Sequence, residues 1–159
     1  MKGSSTQPPN AGFEATVRES FGRQTFMQTL GAKIDRVAPG EVDVSVPFSP
    51  LHAQQNGFLH AGVLASVADS ACGYAAFSMA PPQHDVLAVE FKINLLRPAT
   101  APLFVARARV LRAGRTLIVV VAEVFAQDAG KETLVAAMTS TVIARPLRRE
   151  GGAQQEGAS

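Results

Sequence analysis

The sequence predicts an α+β domain: a six-stranded, mostly antiparallel sheet wraps its apolar face around one long helix, and another helix precedes it. Three observations carry this. Residues 60–80 form an apolar run closed by Pro81-Pro82. Two segments before that run flank a Pro39-Gly40 turn. Four strand-like segments follow it, the last three joined by two short glycine turns.

Phe13, Val17 and Phe21, then Phe26, Met27 and Leu30, share one helical face, and Gly31 suits a helix stop. One helix over 13–30 is the expectation. Residues 32–38 and 41–48 form a hairpin about Pro39-Gly40. Val42, Val44, Val46 and Phe48 alternate with Glu41, Asp43, Ser45 and Pro47, which gives one wet face. The long helix over 60–80 reads as buried nearly all round. Val89, Phe91, Ile93 and Leu95 alternate in the next strand, which ends at Pro98. Residues 103–112 form another, turning at Ala113-Gly114. The unbroken apolar run Leu117–Ala122 suits a central strand. Asp128-Ala129-Gly130 is a second turn, and 133–145 the last strand. Residues 1–11 and 147–159 have no apolar period and are expected to be disordered tails around a domain at 12–146. There is no internal repeat.

At 159 residues and 47% hydrophobic content, one domain with a proper core is expected. A net charge of +2 is too small to imply nucleic acid. The single cysteine excludes an internal disulfide framework and a Cys-rich metal site, and Cys72 on the apolar helix reads as a buried, inert thiol. No His/Cys/carboxylate group has metal spacing, so no metal is expected. His52 and His84 read as ordinary surface histidines. The polar N-terminus lacks a signal-peptide pattern and no apolar run is long enough to span a bilayer, so the expectation is a cytoplasmic protein with no membrane partner.

The chemistry gathers around Leu51-His52-Ala53-Gln54-Gln55-Asn56-Gly57-Phe58-Leu59-His60-Ala61-Gly62 and the helix it enters. Asp69 is an acid alone on that helix, costly unless paired or used. Its structural reading is a pairing with Ser66, Ser70 or a distant arginine. His60 and Asp69 are nine residues apart. On a helix that is about 13–14 Å along the axis and roughly half a turn in azimuth. They cannot meet in one site within one chain, so a shared site requires a second copy. His60 has a plainer reading as a helix cap. Gln54 and Gln55 are adjacent and, on composition, equivalent.

The Gly57-x-x-His60-x-Gly62 step, the acid nine residues after the histidine, and the stretch Val89–Pro98 resemble the hotdog-fold acyl-CoA thioesterases of the phenylacetate-degradation (PaaI-like) type. The resemblance covers residues 13–145. It implies that Asp69 attacks the thioester or activates water, that Gln54 lies near the substrate carbonyl or water, and that His60 matches the histidine of the family's His-Gly-Gly step. The N–H of Ala61 matches the oxyanion donor, though alanine replaces glycine there. Ala88 stands where some members carry a water-orienting Ser or Thr. The implied reaction is hydrolysis of an acyl- or aryl-CoA to the free acid and coenzyme A. Coenzyme A enters as part of the substrate, and no cofactor is expected. The implied assembly is an obligate homo-oligomer, a dimer or a dimer of dimers, with no nucleic acid bound.

From Phe91 to Ala122 there are six basic residues, Lys92, Arg97, Arg107, Arg109, Arg112 and Arg115, and no acid. Most read as a solvated strand face. The turn Arg112-Ala113-Gly114-Arg115-Thr116 resembles the family's coenzyme-contacting turn and is the first choice for a phosphate clamp, with Arg97 second. Two rival readings stand beside this one. Hotdog hydratases resemble one another in a His five residues after the Asp, where Tyr74 stands here. A non-catalytic acyl-CoA binding protein is the alternative of another class. As a sensor it would need a DNA-binding domain, for which residues 1–11 leave no room.

Overall fold

The computed structural model describes Pro8 and residues 10–147. The tail readings at 1–11 and 147–159 therefore lie almost wholly outside the described residues. In chain order the elements are α1 (Phe13–Gly22), α2 (Thr25–Leu30), β1 (Lys33–Ala38), β2 (Glu41–Pro47), a 3-10 turn (Pro50–His52), α3 (Ala61–Ser78), β3 (His84–Leu95), β4 (Leu103–Ala113), β5 (Leu117–Asp128) and β6 (Lys131–Pro146). The six strands form one sheet in the order β1-β2-β4-β5-β6-β3. All five pairings are antiparallel. The sheet curls around α3, which is the hotdog arrangement.

Small side chains let α3 lie close to the sheet. Ala68, Ala71, Cys72, Ala75 and Ala76 are fully buried against Val42, Val44, Val46, Phe104, Ala106, Val120 and Val142. Burial of this kind supplies the main folding force, about 25 cal/mol for each Å² of apolar surface. The helix is not buried all round, however. Ser66, Asp69, Ser70, Gly73 and Phe77 are only half-buried, and their spacing puts them on one stripe.

Two local expectations need correction. The first helix is two helices, broken where Gln24 takes an extended backbone (φ −77°, ψ 94°). The break lets Val17 of α1 and Met27 and Leu30 of α2 reach the core separately, while Phe26 stays exposed. The strand over Val89–Leu95 begins earlier, at His84, and a bulge between Ala88 and Glu90 interrupts its alternation. Only Ile93 of that alternating set packs on the core, together with Val86, whereas Leu87, Val89, Phe91 and Leu95 are 45–56% exposed. The turn after β5 is tight, with both Ala129 (φ 46°) and Gly130 (φ 81°) left-handed, as a two-residue hairpin requires.

The ladders define two ends. At one end lie the start of β3, the end of β6, the β4–β5 turn and the C-terminal end of α3, since Gly40 packs on Met79 and Val110. At the other lie the N-terminus of α3, the end of β3 and the β5–β6 turn, tied by Leu59 N–H donating to Ala99 O.

Candidate active site

The loop into α3 is folded by its own polar groups. Ala53 and Leu59 bridge its neck. Gln54 N–H donates to Phe58 O at 2.8 Å, and Gly57 N–H donates to Gln54 O at 2.9 Å. Gly57 has φ 81°, a conformation that L side chains disfavour. The Gln54 side chain also takes part: its Oε1 accepts from Asn56 N–H at 2.7 Å. Gln55 is exposed. The structure thus separates two glutamines that composition left equivalent.

His60 is the N-cap of α3, and its Nδ1 accepts from Gly62 N–H at 2.9 Å. The capping expectation is met, but it does not exhaust the ring. Accepting at Nδ1 places the proton of a neutral imidazole on Nε2. The ring is exposed, so that N–H is available to a ligand. The next donors divide in the same way. Val63 N–H goes to His60 O at 2.9 Å, whereas Ala61 N–H has no acceptor among the described residues. Ala61 does not need a positive φ, so alanine fits this position. An unused N–H at the positive end of an 18-residue helix is a ready donor to an anionic oxygen.

Asp69 lies two and a half turns further on. Neither serine proposed as its partner serves it. Ser66 Oγ donates to Gly62 O at 2.7 Å, and Ser70 Oγ donates to Gln24 Oε1 at 3.3 Å. The Asp69 Oδ1 is buried with no hydrogen-bond partner, and no ion pair reaches the carboxylate among the described residues. Burial holds its pKa above the usual carboxylate value. An unpaired buried carboxyl is expensive, and such groups cluster at functional sites.

Asp69 faces a cleft of about 420 Å³, walled by α1, α3 and the start of β3; Ser20, Tyr74, Phe77, Val86, Leu87 and Ala88 are among its lining residues. Ala88, the position matched to a water-orienting hydroxyl, does lie here and brings only a methyl group. Hydroxyls come instead from Ser20, Ser70 and Tyr74, of which Tyr74 approaches Ser20 at 3.4 Å. Ser20 of α1 and Gln24 at the start of α2 escape sequence reading because they are far from α3 in the chain, and Gly73, on α3 itself, because a glycine carries no chemical signal. Cys72, also on α3, is fully buried, and burial with the Asp69 charge pushes its thiol up to about 12. The inert-thiol expectation holds.

The remaining residues are not gathered at this cleft. Gln54, His60 and Ala61 sit together at the N-terminus of α3. Arg112, Ala113, Gly114, Arg115 and Thr116 are all exposed at the opposite end, with Gly114 N–H closing the turn on Leu117 O at 2.9 Å. Arg97 lines a separate cleft with Phe58, Thr100, Lys131 and Thr133, and donates to Leu134 O at 2.7 Å. Arg107 is structural: it is paired with Glu132 and stacked 4.8 Å over the Phe125 ring. His52 is not an ordinary surface residue, since its Nδ1 is buried without a partner beneath the loop. No helix of the described residues is long and apolar enough to cross a membrane.

Residues 56–133 match the thioesterase superfamily. A thioesterase family protein from Silicibacter pomeroyi is 48% identical, with a TM-score of 0.83 over 85% of this chain and 99% of the other. The chain belongs to the thioesterase superfamily. A Saccharolobus solfataricus protein bearing an esterase name is 32% identical over 116 residues, 73% of this chain and 81% of that one. A mutant of the phenylacetic acid degradation protein PaaI from Thermus thermophilus is 32% identical, with a TM-score of 0.67 over 76% of this chain and 98% of the other. This thioesterase is accordingly a hydrolase of thioesters on a hotdog fold.

Proposed function

We propose that this thioesterase hydrolyses acyl-CoA, releasing the free acid and coenzyme A, at a site built between two copies of the chain. The observation that carries the reading is Asp69: a buried carboxylate oxygen with no partner, facing a cleft. Ionised, it removes a proton from water or attacks the thioester carbonyl itself. Ala61 N–H receives the developing oxyanion at the helix N-terminus, worth about 3–4 kcal/mol for a well-placed donor. His60 Nε2–H and the Gln54 amide flank that position and orient the carbonyl and the water.

A second copy is needed because Asp69 and Ala61 are separated along α3. The β3 edge supplies the means. It is a 12-residue edge strand with exposed Leu87, Val89, Phe91 and Leu95. An edge of that length and apolarity is a template for pairing. Two-fold antiparallel pairing of β3 with its copy sets the start of one β3 beside the end of the other. The Asp69 cleft, which borders the start of β3, then adjoins the end of the partner that carries the partner subunit's Ala61. The same operation brings the partner subunit's Arg112 and Arg115 to the end where Arg97 lies, so cations far apart in one chain converge on the phosphates of one coenzyme.

The test is hydrolysis of a panel of acyl-CoA thioesters, read as free thiol, by wild type and by Asp69→Asn. Steady turnover lost in the variant is the expected result. Binding without turnover by the wild type refutes the reading in favour of a non-catalytic acyl-CoA binding protein.

A further inference from the structure

Gly73 stands near the middle of an 18-residue helix, where glycine is the least favourable residue after proline. Nothing local accounts for it. Its φ is not in the left-handed region, and a Cβ built on it would meet nothing within 4 Å. Backbone conformation and close packing are the usual reasons for a helical glycine, and neither applies. Its neighbours Cys72 and Ala75, by contrast, are fully buried.

What the missing side chain does leave open is the cleft at Asp69, which Gly73 lines. Asp69, Gly73 and Phe77 form one i, i+4, i+8 row along α3, with steps of about 6 Å. A side chain at position 73 would therefore project between the carboxylate and the Phe77 ring. Tyr74, Val86 and Leu87 supply the apolar walls on either side.

We propose that Gly73 is a specificity-determining residue: by carrying no side chain it makes room beside Asp69 for an acyl group whose bulk lies within the first few carbons of the thioester carbonyl. This inference rests on the thioesterase reading above. An aromatic or branched acyl group lies across Gly73 with its far side against Phe77. A slim acyl group such as acetyl does not reach the row beyond Asp69 and does not use the space.

The experiment compares kcat/KM for phenylacetyl-CoA and acetyl-CoA in wild type, Gly73→Ala and Gly73→Val. Melting temperature is the fold control, and Gly73→Ala is expected to melt no lower than wild type because alanine favours the helix. The phenylacetyl to acetyl ratio of kcat/KM should fall severalfold in Gly73→Ala and at least about 10-fold in Gly73→Val, the scale of a few misplaced carbons. A ratio that stays constant in a folded Gly73→Ala protein overturns the proposal, as does a wild type that hydrolyses acetyl-CoA but rejects phenylacetyl-CoA. A wild type that hydrolyses neither but turns over another acyl-CoA of the panel overturns this inference alone, and one that hydrolyses no acyl-CoA of the panel overturns the acyl-CoA reading and this inference with it.

Discussion

Replacing Asp69 by Asn tests the site with little change of shape, because the two side chains are nearly isosteric. The substitution removes the only carboxylate on α3, the one side chain there that is a base at neutral pH. A catalytic base contributes about 10²–10⁴-fold, so kcat should fall by at least about 10²-fold, equivalent to roughly 2.7 kcal/mol of barrier. Stability should move the other way. Burial raises the Asp69 pKa above 3.8. Between 3.8 and that higher value the folded chain binds more protons at this group than the unfolded chain does. Wild-type stability therefore falls as pH rises through this window, and at neutral pH the ionised carboxylate is a net cost to the fold. Asn carries no such cost. The variant should melt higher than wild type at pH 7, and the difference should shrink as pH falls toward 3.8. Activity follows the same titration: wild-type kcat should drop on acidification with a midpoint above 3.8, because only the ionised form works. Thermal melts from pH 4 to 8 and initial rates over the same range give both readouts. Retention of more than a tenth of kcat, or a lower melting temperature at neutral pH, would refute the reasoning.

Other expectations follow from the same geometry. Mixing inactive His60→Ala and Asp69→Asn proteins should restore activity to roughly a quarter of wild type after subunit exchange, since about half the dimers are mixed and each holds one intact site; exchange seen by mass without recovery, from a His60→Ala parent first shown inactive, would exclude a cross-subunit site. Arg112→Ala with Arg115→Ala should raise KM for acyl-CoA more than it lowers kcat, because phosphate contacts are the same in ground and transition states. The effect should shrink with a pantetheine thioester lacking the nucleotide, and equal effects on both substrates would move the clamp elsewhere. Cys72, held up to about 12, is about one part in ten thousand thiolate at pH 8, so iodoacetamide should label it only after denaturation; prompt labelling of the native protein would contradict its burial.

Much of this protein was legible in local sequence because local forces write it. The apolar run of α3, bounded by the Gly57 loop and Pro81-Pro82, declares a helix of nearly the observed span. The alternation of Val42, Val44 and Val46 names the buried face of β2, and glycine marks the turns that need a left-handed backbone. The nine-residue spacing of His60 and Asp69 already separates them by two and a half turns of α3. Tertiary structure decided the rest, since it depends on groups distant in the chain. The sheet order puts β3 at an edge beside β6 instead of beside β4, its successor in sequence, and Leu87, Val89, Phe91 and Leu95 lie exposed there while Val86 and Ile93 pack on the core. The break at Gln24 has no strong local signal; it exists because α1 and α2 find separate seats on the core, and it brings Gln24 to Ser70. That contact, with Ser66 turned back on its own helix, leaves Asp69 unpartnered. A sequence shows that an acid lies in an apolar helix, but whether the acid is paired or free is settled by the surfaces that folding brings against it.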